Sequence, residues 1–276
     1  MIERAGGCHI RMEMETVPGL FRTPTHNYCI FHQSDIDITD RLTATLGLRY
    51  DLSHVAIDYQ TTGAVRLDES VMGVNVKANV RSVLEQKEDA SFEQLLPKVG
   101  LTWHIGNAGS NIYAIVSKGY RAGGFNIQMF SDILQTELQN SAQTARGDVE
   151  LEHDAATYDN IRNTIKYDPE ESWNYELGTH LNLFNHQLQI DLSAYYMQIR
   201  NQQLSVFATQ YGFGRSMVNA GKSYSCGIEA TLRGSALDDH LTWTASYGYT
   251  RAKFKEYTDA VTVDGQVETV DYKDNY

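Results

Sequence analysis

The segment SKGYRAGGFN, residues 117–126, combines three glycines, two cationic side chains and two aromatic rings. Glycine-rich loops of this kind can bind phosphate groups. A dinucleotide-binding loop needs the spacing G-x-G-x-x-G before a helix, and a P-loop needs G-x-x-x-x-G-K-[ST]. Gly119, Gly123 and Gly124 fit neither spacing, and the following NIQMFSDILQ offers no N-cap with a clean apolar helical face. The sequence therefore argues against a nucleotide site here.

A second candidate is the acidic loop 132–171, which holds ten acidic residues against three basic ones. Such a loop can bind a cationic or metal-chelate ligand. The competing interpretation, an exposed, solvated and mobile loop, is favoured because acidic polar stretches are usually solvated. His153 and Asp154 are potential metal ligands, but a zinc site needs at least a third protein ligand. We predict no metal site and no cofactor.

Catalytic residues are not predicted. Serine, histidine and aspartate all occur, yet no G-x-S-x-G elbow or other activated nucleophile is present. Arg121, in the glycine-rich segment, and Arg200 and Arg215, in QIRNQQLSVFATQYGFGRS, are candidates for contact with a ligand. For all three, an ordinary role in a loop or at a strand end is the competing interpretation. We predict that the chain is not an enzyme.

Bulk properties narrow the classes of protein further. The chain has 276 residues, a net charge of −12 and a pI of about 5.1, which argue against a nucleic-acid surface. Its three cysteines are widely separated and fit neither a disulfide framework nor a zinc motif. The sequence contains no run of 18 apolar residues, so a transmembrane helix is not predicted. The first twenty residues lack the apolar region of a signal peptide.

Apolar and polar residues alternate in many segments, as expected for β-strands with one face in an apolar environment. In residues 41–51, Leu42, Ala44, Leu46, Leu48 and Tyr50 alternate with polar residues or glycine. The same period appears in segments 98–105, 173–183, 187–196, 227–233 and 241–250, and less cleanly in 111–121, where Tyr113 and Ile115 fall on the polar face. Several runs are about ten residues long, which is the length that a tilted strand needs to cross a bilayer.

The predicted connections alternate in length. Short links fall at 39–40, 106–110, 185–186 and 236–239, and long links at 60–90, 126–168, 204–216 and from 256 onward. Outer-membrane barrels show this asymmetry between periplasmic turns and extracellular loops. Aromatic residues lie near both ends of the strands, as two membrane interfaces would select.

The register follows from the cost of placing charge in lipid. An arginine facing lipid at mid-membrane costs roughly 2–4 kcal/mol, so the polar face must line water or a protein plug. On that face, Arg49, Glu176, Asp191, Glu229 and Arg233 are expected to pair across strands or to contact a plug.

Several motifs together resemble the barrel of a TonB-dependent outer-membrane receptor of the siderophore-receptor type. They are DRLTATLGLRYD (40–51), LPKVGLTW (96–103), SKGYRAGGFN (117–126), PEESWNYELGTHLNLFNHQLQIDLSAYYMQIRNQQL (169–204) and NAGKSYSCGIEA (219–230). The resemblance implies an all-β fold, an antiparallel transmembrane β-barrel built as a meander of long strands with short periplasmic turns and long extracellular loops. It also implies that the glycines of 117–126 let a strand end pass closely into an extracellular loop.

The family's plug domain and terminal strand are not recognisable, and the pattern supplies roughly eight to ten strands where the family has 22. We therefore expect an incomplete barrel, with a poorly defined segment 1–27, a partial barrel 28–258 and an extracellular loop 259–276. A slice of barrel alone is expected not to transport, because lipid does not tolerate unpaired sheet edges.

The resemblance implies energised uptake of an iron–siderophore complex, cobalamin or a similar solute in the outer membrane of a Gram-negative bacterium. The implied partners are outer-membrane lipid, the small ligand and the TonB complex acting through a plug, with no nucleic acid. The alternative is a small, self-contained outer-membrane barrel that acts in surface binding or adhesion, or as a lipid-directed enzyme.

Overall fold

The computed structural model describes residues 2–4, 8–15, 17–71, 74–106, 108–185, 187–207, 215–236, 240–263 and 266–275. The first part of the chain forms β1 (Ile2–Arg4), β2 (Cys8–Met14), β3 (Gly19–Arg22), β4 (Thr25–Thr39), β5 (Leu42–Val71), β6 (Val74–Ile105), β7 (Ser110–Arg121) and β8 (Gly124–Phe125). A mixed segment follows, with α1 (Met129–Ala142), β9 (Gly147–Leu151), α2 (Ala155–Ile165) and β10 (Lys166–Tyr167).

The remaining strands are β11 (Glu170–Leu183), β12 (Leu188–Arg200), β13 (Gln203–Phe207), β14 (Arg215–Asn219), β15 (Lys222–Ala236), β16 (Leu241–Glu256), β17 (Thr258–Val263) and β18 (Gln266–Asp271). Neighbouring strands pair antiparallel in the order β4-β5-β6-β7-β11-β12-β15-β16. The predicted all-β antiparallel meander is confirmed. It is an open sheet, with β4 and β16 at its two ends.

The N-terminal strands continue along β5 beyond β4. β3 pairs with residues 58–61 and β2 with residues 65–70, so that both follow one antiparallel path. Prolines interrupt this path, because a proline has no backbone N–H to give to a ladder. Their carbonyls keep the chain attached: Pro18 O accepts from the N–H of Thr62 at 3.2 Å, and Pro24 O accepts from the N–H of Ala56 at 3.0 Å.

The outer face of the sheet is defined here as the face that carries Leu42, Ala44 and Leu46. Strand register brings apolar residues of seven strands into one row on it: Ala44, Leu101, Ala114, Leu177, Ala194, Ile228 and Tyr249. The larger members stay uncovered, with exposed fractions of 47% for Leu101, 59% for Leu177 and 51% for Ile228. An apolar band of this extent marks a lipid or partner surface rather than an aqueous one.

This band ends at a row of aromatic residues and then at charged ones. Along β16 the outer side chains change from Tyr247 and Tyr249 to Arg251 and Lys253. Along β12 they change from Ala194 and Tyr196 to Gln198 and Arg200. Tyrosine followed by charge is the pattern of a membrane–water interface, and it marks the upper edge of the apolar band.

Four short connections lie at the opposite, lower edge. β4 and β5 are joined through 40–41, β6 and β7 through 106–109, β11 and β12 through 184–187, and β15 and β16 through 237–240. Left-handed backbone at Phe184 and Asn185, with φ of 50° and 53°, makes the third turn tight. The predicted short links are confirmed here, although 107, 186 and 237–239 lie outside the described residues.

The predicted long link at 60–90 is wrong. Those residues extend β5 and β6 as an unbroken ladder from Leu42↔Trp103 to Val71↔Val74. We call residues 51–71 and 74–94 the arm. At about 3.3 Å per residue, its 20 or so residues per strand reach roughly 65–70 Å beyond the apolar band. Residues of the arm still alternate, but the apolar ones now lie on the inner face and the polar ones on the outer face. The loop was predicted because the outer face stops being apolar, although the strands continue.

The link 126–168 is also not a simple loop. We call this segment the cap: α1 and α2 pack on the inner face of the arm, and β9 pairs parallel with residues 78–82 of β6. The remaining links contain hairpins, β13 with β14 and β17 with β18; residues 208–214 lie outside the described residues. No helix among the described residues is long and apolar enough to cross a membrane.

Candidate functional site: the polar inner wall and the capped arm

The inner face, opposite the apolar band, carries a polar wall built by four adjacent strands. Alternation places Tyr113 of β7, Glu176 and His180 of β11, Asp191 of β12, and Glu229 and Arg233 of β15 on this face. We call these six residues the inner wall. They border a shallow cavity of about 240 Å³. The predicted inward positions of Glu176, Asp191, Glu229 and Arg233 are thus found together.

Asp191 is the centre of the inner wall. One carboxylate oxygen accepts a hydrogen bond from His180 Nδ1 at 2.7 Å, and the other accepts from Arg233 Nη1 at 2.5 Å. The three residues come from three strands, so the network ties β11, β12 and β15 together. A carboxylate held by a guanidinium and an imidazole offers a fixed charge pattern to whatever faces the wall.

Tyrosines lie across glycines of the neighbouring strands. Tyr113 covers Gly178, where an added Cβ would lie 2.5 Å from the phenol ring, and its hydroxyl donates to Glu176 Oε1 at 2.8 Å. Tyr195 crosses Gly227 in the same way, and its hydroxyl lies 2.7 Å from Thr250 Oγ1. Tyr113 therefore belongs to the inner wall. A sequence signal existed, since an aromatic residue on a polar face needs a glycine beside it to lie flat.

Where the arm leaves the apolar band, charged groups are paired. Arg49 Nε lies 2.6 Å from Asp51 Oδ1, and that carboxylate is nearly buried. Lys118 Nζ lies 3.1 Å from Glu171 Oε1 and donates to Gln94 Oε1 at 3.1 Å. Arg49 was expected to pair across strands or to contact a plug, but it pairs with Asp51 of its own strand.

The arm's inner face changes from polar to apolar above this junction. Val55, Ile57, Tyr59, Val65 and Leu67 on β5 are all nearly or fully buried, as are Ala78, Val80, Leu84, Ala90 and Phe92 on β6. The cap covers most of them with α1 residues that recur at helical spacing: Met129, Phe130, Ile133, Leu134, Leu138 and Ala142. Phe125 of β8 packs against the remaining cluster of Val55, Ala90 and Phe92. The expected absence of an apolar helical face after residue 126 is therefore wrong. Gln128 provides no side-chain cap, but packing alone orders the helix.

Part of the acidic loop 132–171 is consequently structural rather than solvated. His153 is almost buried, and its Nε2 lies 2.7 Å from Glu137 Oε1 and 3.3 Å from Ser82 Oγ. Ser82 donates to the other oxygen of Glu137 at 2.8 Å. A hydrolytic triad needs the serine and the carboxylate on opposite ring nitrogens. Here both partners meet the same nitrogen, so the cluster joins β6, α1 and the start of α2 without the geometry of a triad.

Three ionisable groups of the arm and cap have shifted pKa values. Burial raises the pKa of Asp132 and, with the nearby Glu88, that of Tyr59. The pKa of Asp154 is lowered because its carboxylate accepts from the side chain and backbone N–H of Thr157, at 2.7 and 2.8 Å. Asp154 is the N-cap of α2, so both members of the candidate metal pair His153–Asp154 already have structural partners. Among the described residues, no group of three or more metal-binding side chains is present.

The three candidate ligand-binding arginines belong to three different strands, β7, β12 and β14. Alternation along β7 puts Arg121 on the inner face, at its exposed upper end, in register with Glu170. Arg200 ends β12 on the outer face, in register with Glu171 and Lys222. Arg215 begins β14 in a separate hairpin. Of Arg121 and Arg200, Arg121 is the one on the face shared with the inner wall.

Comparison with known proteins agrees with this two-faced sheet. Residues 18–275 match the family model described as TonB dependent receptor-like, beta-barrel. The siderophore receptor PiuA from Acinetobacter baumannii is similar in structure, with a TM-score of 0.57 and 16% sequence identity over 92% of this chain and 29% of that one. The ferric-catecholate import receptor Fiu from E. coli K12 matches with a TM-score of 0.51 and 15% identity, over 89% and 30% of the two chains. This chain thus spans less than a third of either receptor.

Proposed function

Because the chain belongs to the TonB-dependent receptor-like β-barrel family, we propose that it forms barrel wall in an outer-membrane receptor for iron–siderophore complexes, cobalamin or a similarly scarce solute. The family consists of receptors and transporters rather than enzymes. The observation that carries the proposal is the two-faced sheet, with an apolar outer band closed by tyrosines and a polar inner wall behind it. PiuA is a siderophore receptor and Fiu imports ferric catecholates, which supports an iron chelate as the solute.

In this proposal, the outer face contacts outer-membrane lipid and the inner wall faces the solute path or a plug. The Asp191–His180–Arg233 network keeps its charges in place while a plug or a solute moves against it. Energy comes from the TonB complex through that plug, and the chain's own residues catalyse no reaction. Arg121 lies on the inner face at the extracellular end, which favours it over Arg200 for contact with an anionic chelate.

The test is uptake of radiolabelled iron by a Gram-negative host that lacks its own siderophore receptors and expresses the protein from its complete gene. We expect uptake with at least one class of siderophore, catecholate or hydroxamate, and its loss in a TonB-deficient strain. Labelled cobalamin is tested in parallel. Equal uptake in cells without the gene, or uptake that persists without TonB, contradicts the proposal.

Two variants make the test specific to faces of the sheet. Arg121→Gln and Arg200→Gln remove the same charge at the same end of β7 and β12, the two strands that flank β11, one on the inner and one on the outer face. We expect the first to lower uptake and the second to leave it unchanged, at equal amounts of protein in the outer membrane. Equal effects would contradict the placement of the solute path on the inner face.

A further inference from the structure

The two ends of the cap meet where β7 ends and β11 begins. β8 leads into the cap, β10 leads out of it, and the two pair antiparallel. The entering chain passes so close that a Cβ at Gly123 would lie 2.4 Å from Tyr167 O. We call residues 121–125 and 166–170 the cap base. Because the cap base begins at Arg121, the contacts that fix it also fix the backbone of this candidate ligand contact.

Gln203 connects both chains of the cap base. The residue is almost buried, with 7% of its surface exposed. Its Nε2 donates to Ala122 O at 2.8 Å and to Asp168 O at 3.0 Å, and lies 3.5 Å from Arg121 O. Breaking these contacts would leave a buried amide without partners, which costs more than the net energy of an exposed hydrogen bond. The side chain therefore holds the two chains at a fixed separation.

Asn219 makes a second connection to the same place. Its Oδ1 accepts from the N–H of Asp168 at 2.6 Å, and its Nδ2 donates to Asp168 O at 2.7 Å and to Asn201 O at 3.0 Å. Asn219 and Gln203 lie in register at the base of the hairpin of β13 and β14, which we call the clasp. The cap base is thus held by two amide side chains of the clasp.

The clasp also engages the carboxylate that lies beside Arg121. Glu170 is in register with Arg121 across β11 and β7, where side chains of opposite charge are expected to pair. Glu170 Oε2 instead accepts from the backbone N–H of Gln203 at 2.8 Å. In the part of the chain that the structure describes, no carboxylate lies within 4 Å of the Arg121 guanidinium, which is exposed. The cation therefore remains available to an anion from outside the chain.

We propose that Gln203 and Asn219 are positioning residues that hold Arg121 in place for an anionic group of the solute, such as a catecholate or carboxylate oxygen. The inference rests on the proposed function. It goes beyond that function by assigning the clasp a role and by requiring an anionic solute. Gln203 and Asn219 fix the backbone on either side of the cap base, and Gln203 also keeps Glu170 occupied.

The test measures how uptake of a radiolabelled, anionic ferric catecholate depends on its concentration, in cells that express the complete protein. Gln203→Ala removes the side-chain amide but keeps the backbone N–H that engages Glu170. We expect the half-saturation concentration to rise about tenfold, the scale of one net hydrogen bond, with the maximal rate per receptor unchanged. Asn219→Ala should act in the same direction, and provides a second variant.

A double-mutant cycle separates positioning from stability. In the background of Arg121→Gln, Gln203→Ala should have no further effect on the half-saturation concentration, because it acts through the arginine. The control is Lys222→Gln, which breaks the exposed ion pair with Glu256 at the same end of the sheet and should leave that concentration unchanged.

A purely structural role for the clasp predicts a different result. Gln203→Ala and Asn219→Ala would then lower the amount of receptor in the membrane and the maximal rate, with an unchanged half-saturation concentration or with effects that add to those of Arg121→Gln. Either result would overturn the inference. Uptake of only an uncharged ferric hydroxamate or cobalamin would also overturn it, yet would leave the proposed function standing, whereas uptake of none of these solutes contradicts the proposed function itself.

Discussion

The packing of the cap on the arm is tested most directly by shortening one buried side chain. Leu134 lies in α1, has no exposed surface and belongs to the cluster that contains Ile57, Tyr59 and Leu84. Leu134→Ala leaves a cavity between the helix and the two strands. Such substitutions cost about 2–5 kcal/mol, depending on how far the surroundings can collapse. The paired ladder of β5 and β6 limits collapse on one side, so we expect about 3 kcal/mol.

A loss of this size raises the equilibrium constant for opening of the cap by roughly a hundredfold. Hydrogen–deuterium exchange read out by mass spectrometry measures that constant locally. Peptides from α1 and α2 should exchange roughly a hundredfold faster in the variant, while peptides from β15 and β16 remain unchanged. The control is Asn140→Ala, an exposed position on the same helix, for which we expect a change within about 0.5 kcal/mol. If the wild-type α1 peptides exchange as fast as unfolded chain, or Leu134→Ala exchanges like Asn140→Ala, the cap does not pack as described.

Three further predictions concern single positions. Burial raises the pKa of Asp132, so its contribution to cap stability is fully present below the unfolded pKa and is lost as pH rises through the folded pKa; Asp132→Asn should remove that loss, and exchange rates corrected for intrinsic pH dependence will detect it. Gly227→Ala places a Cβ 2.2 Å from Tyr249 O and should cost about 1–3 kcal/mol, whereas Gly248→Ala meets nothing within 4 Å; the midpoint temperature of the folded band on unboiled gels should fall only for the first. Asp191→Asn weakens the links to His180 and Arg233 and should lower the same midpoint by an amount on the order of 1 kcal/mol, and an unchanged midpoint would show that these links do not stabilise the wall.

Alternation within the apolar band was sufficient to predict the part of the sheet that carries this band. Leu42 to Tyr50 keep period two with one face apolar, and the residues between them face inward, so strand identity and the face taken by each side chain followed from the sequence. The pairs on the inner wall were not predictable, because Asp191 and Arg233 lie 42 residues apart and register decides which of several cations meets the carboxylate. Their inward placement followed from the cost of charge in lipid.

The arm and cap were missed for a physical reason. In the arm the outer face becomes polar, while the inner face becomes apolar, so the pattern that predicts lipid-facing strands disappears although the strands continue. Tyr59 and Val65 still alternate with polar residues, but their environment is a pair of helices far along the chain. Phe130, Leu134 and Leu138 recur at helical spacing in the sequence. This spacing would have predicted a packed helix only if the apolar inner face of the arm had been known.

The polarity inversion along β5 and β6 has a consequence for how members of this barrel family diversify. Two segments separated by a complete strand, the hairpin 51–94 and the insertion 126–168, bury their apolar side chains against each other in two shared clusters. Adding two residues to each strand of the hairpin would expose two further apolar side chains that the cap does not cover. Changes in the size of one segment should therefore be tolerated only together with matching changes in the other, so that the two are inherited as a unit.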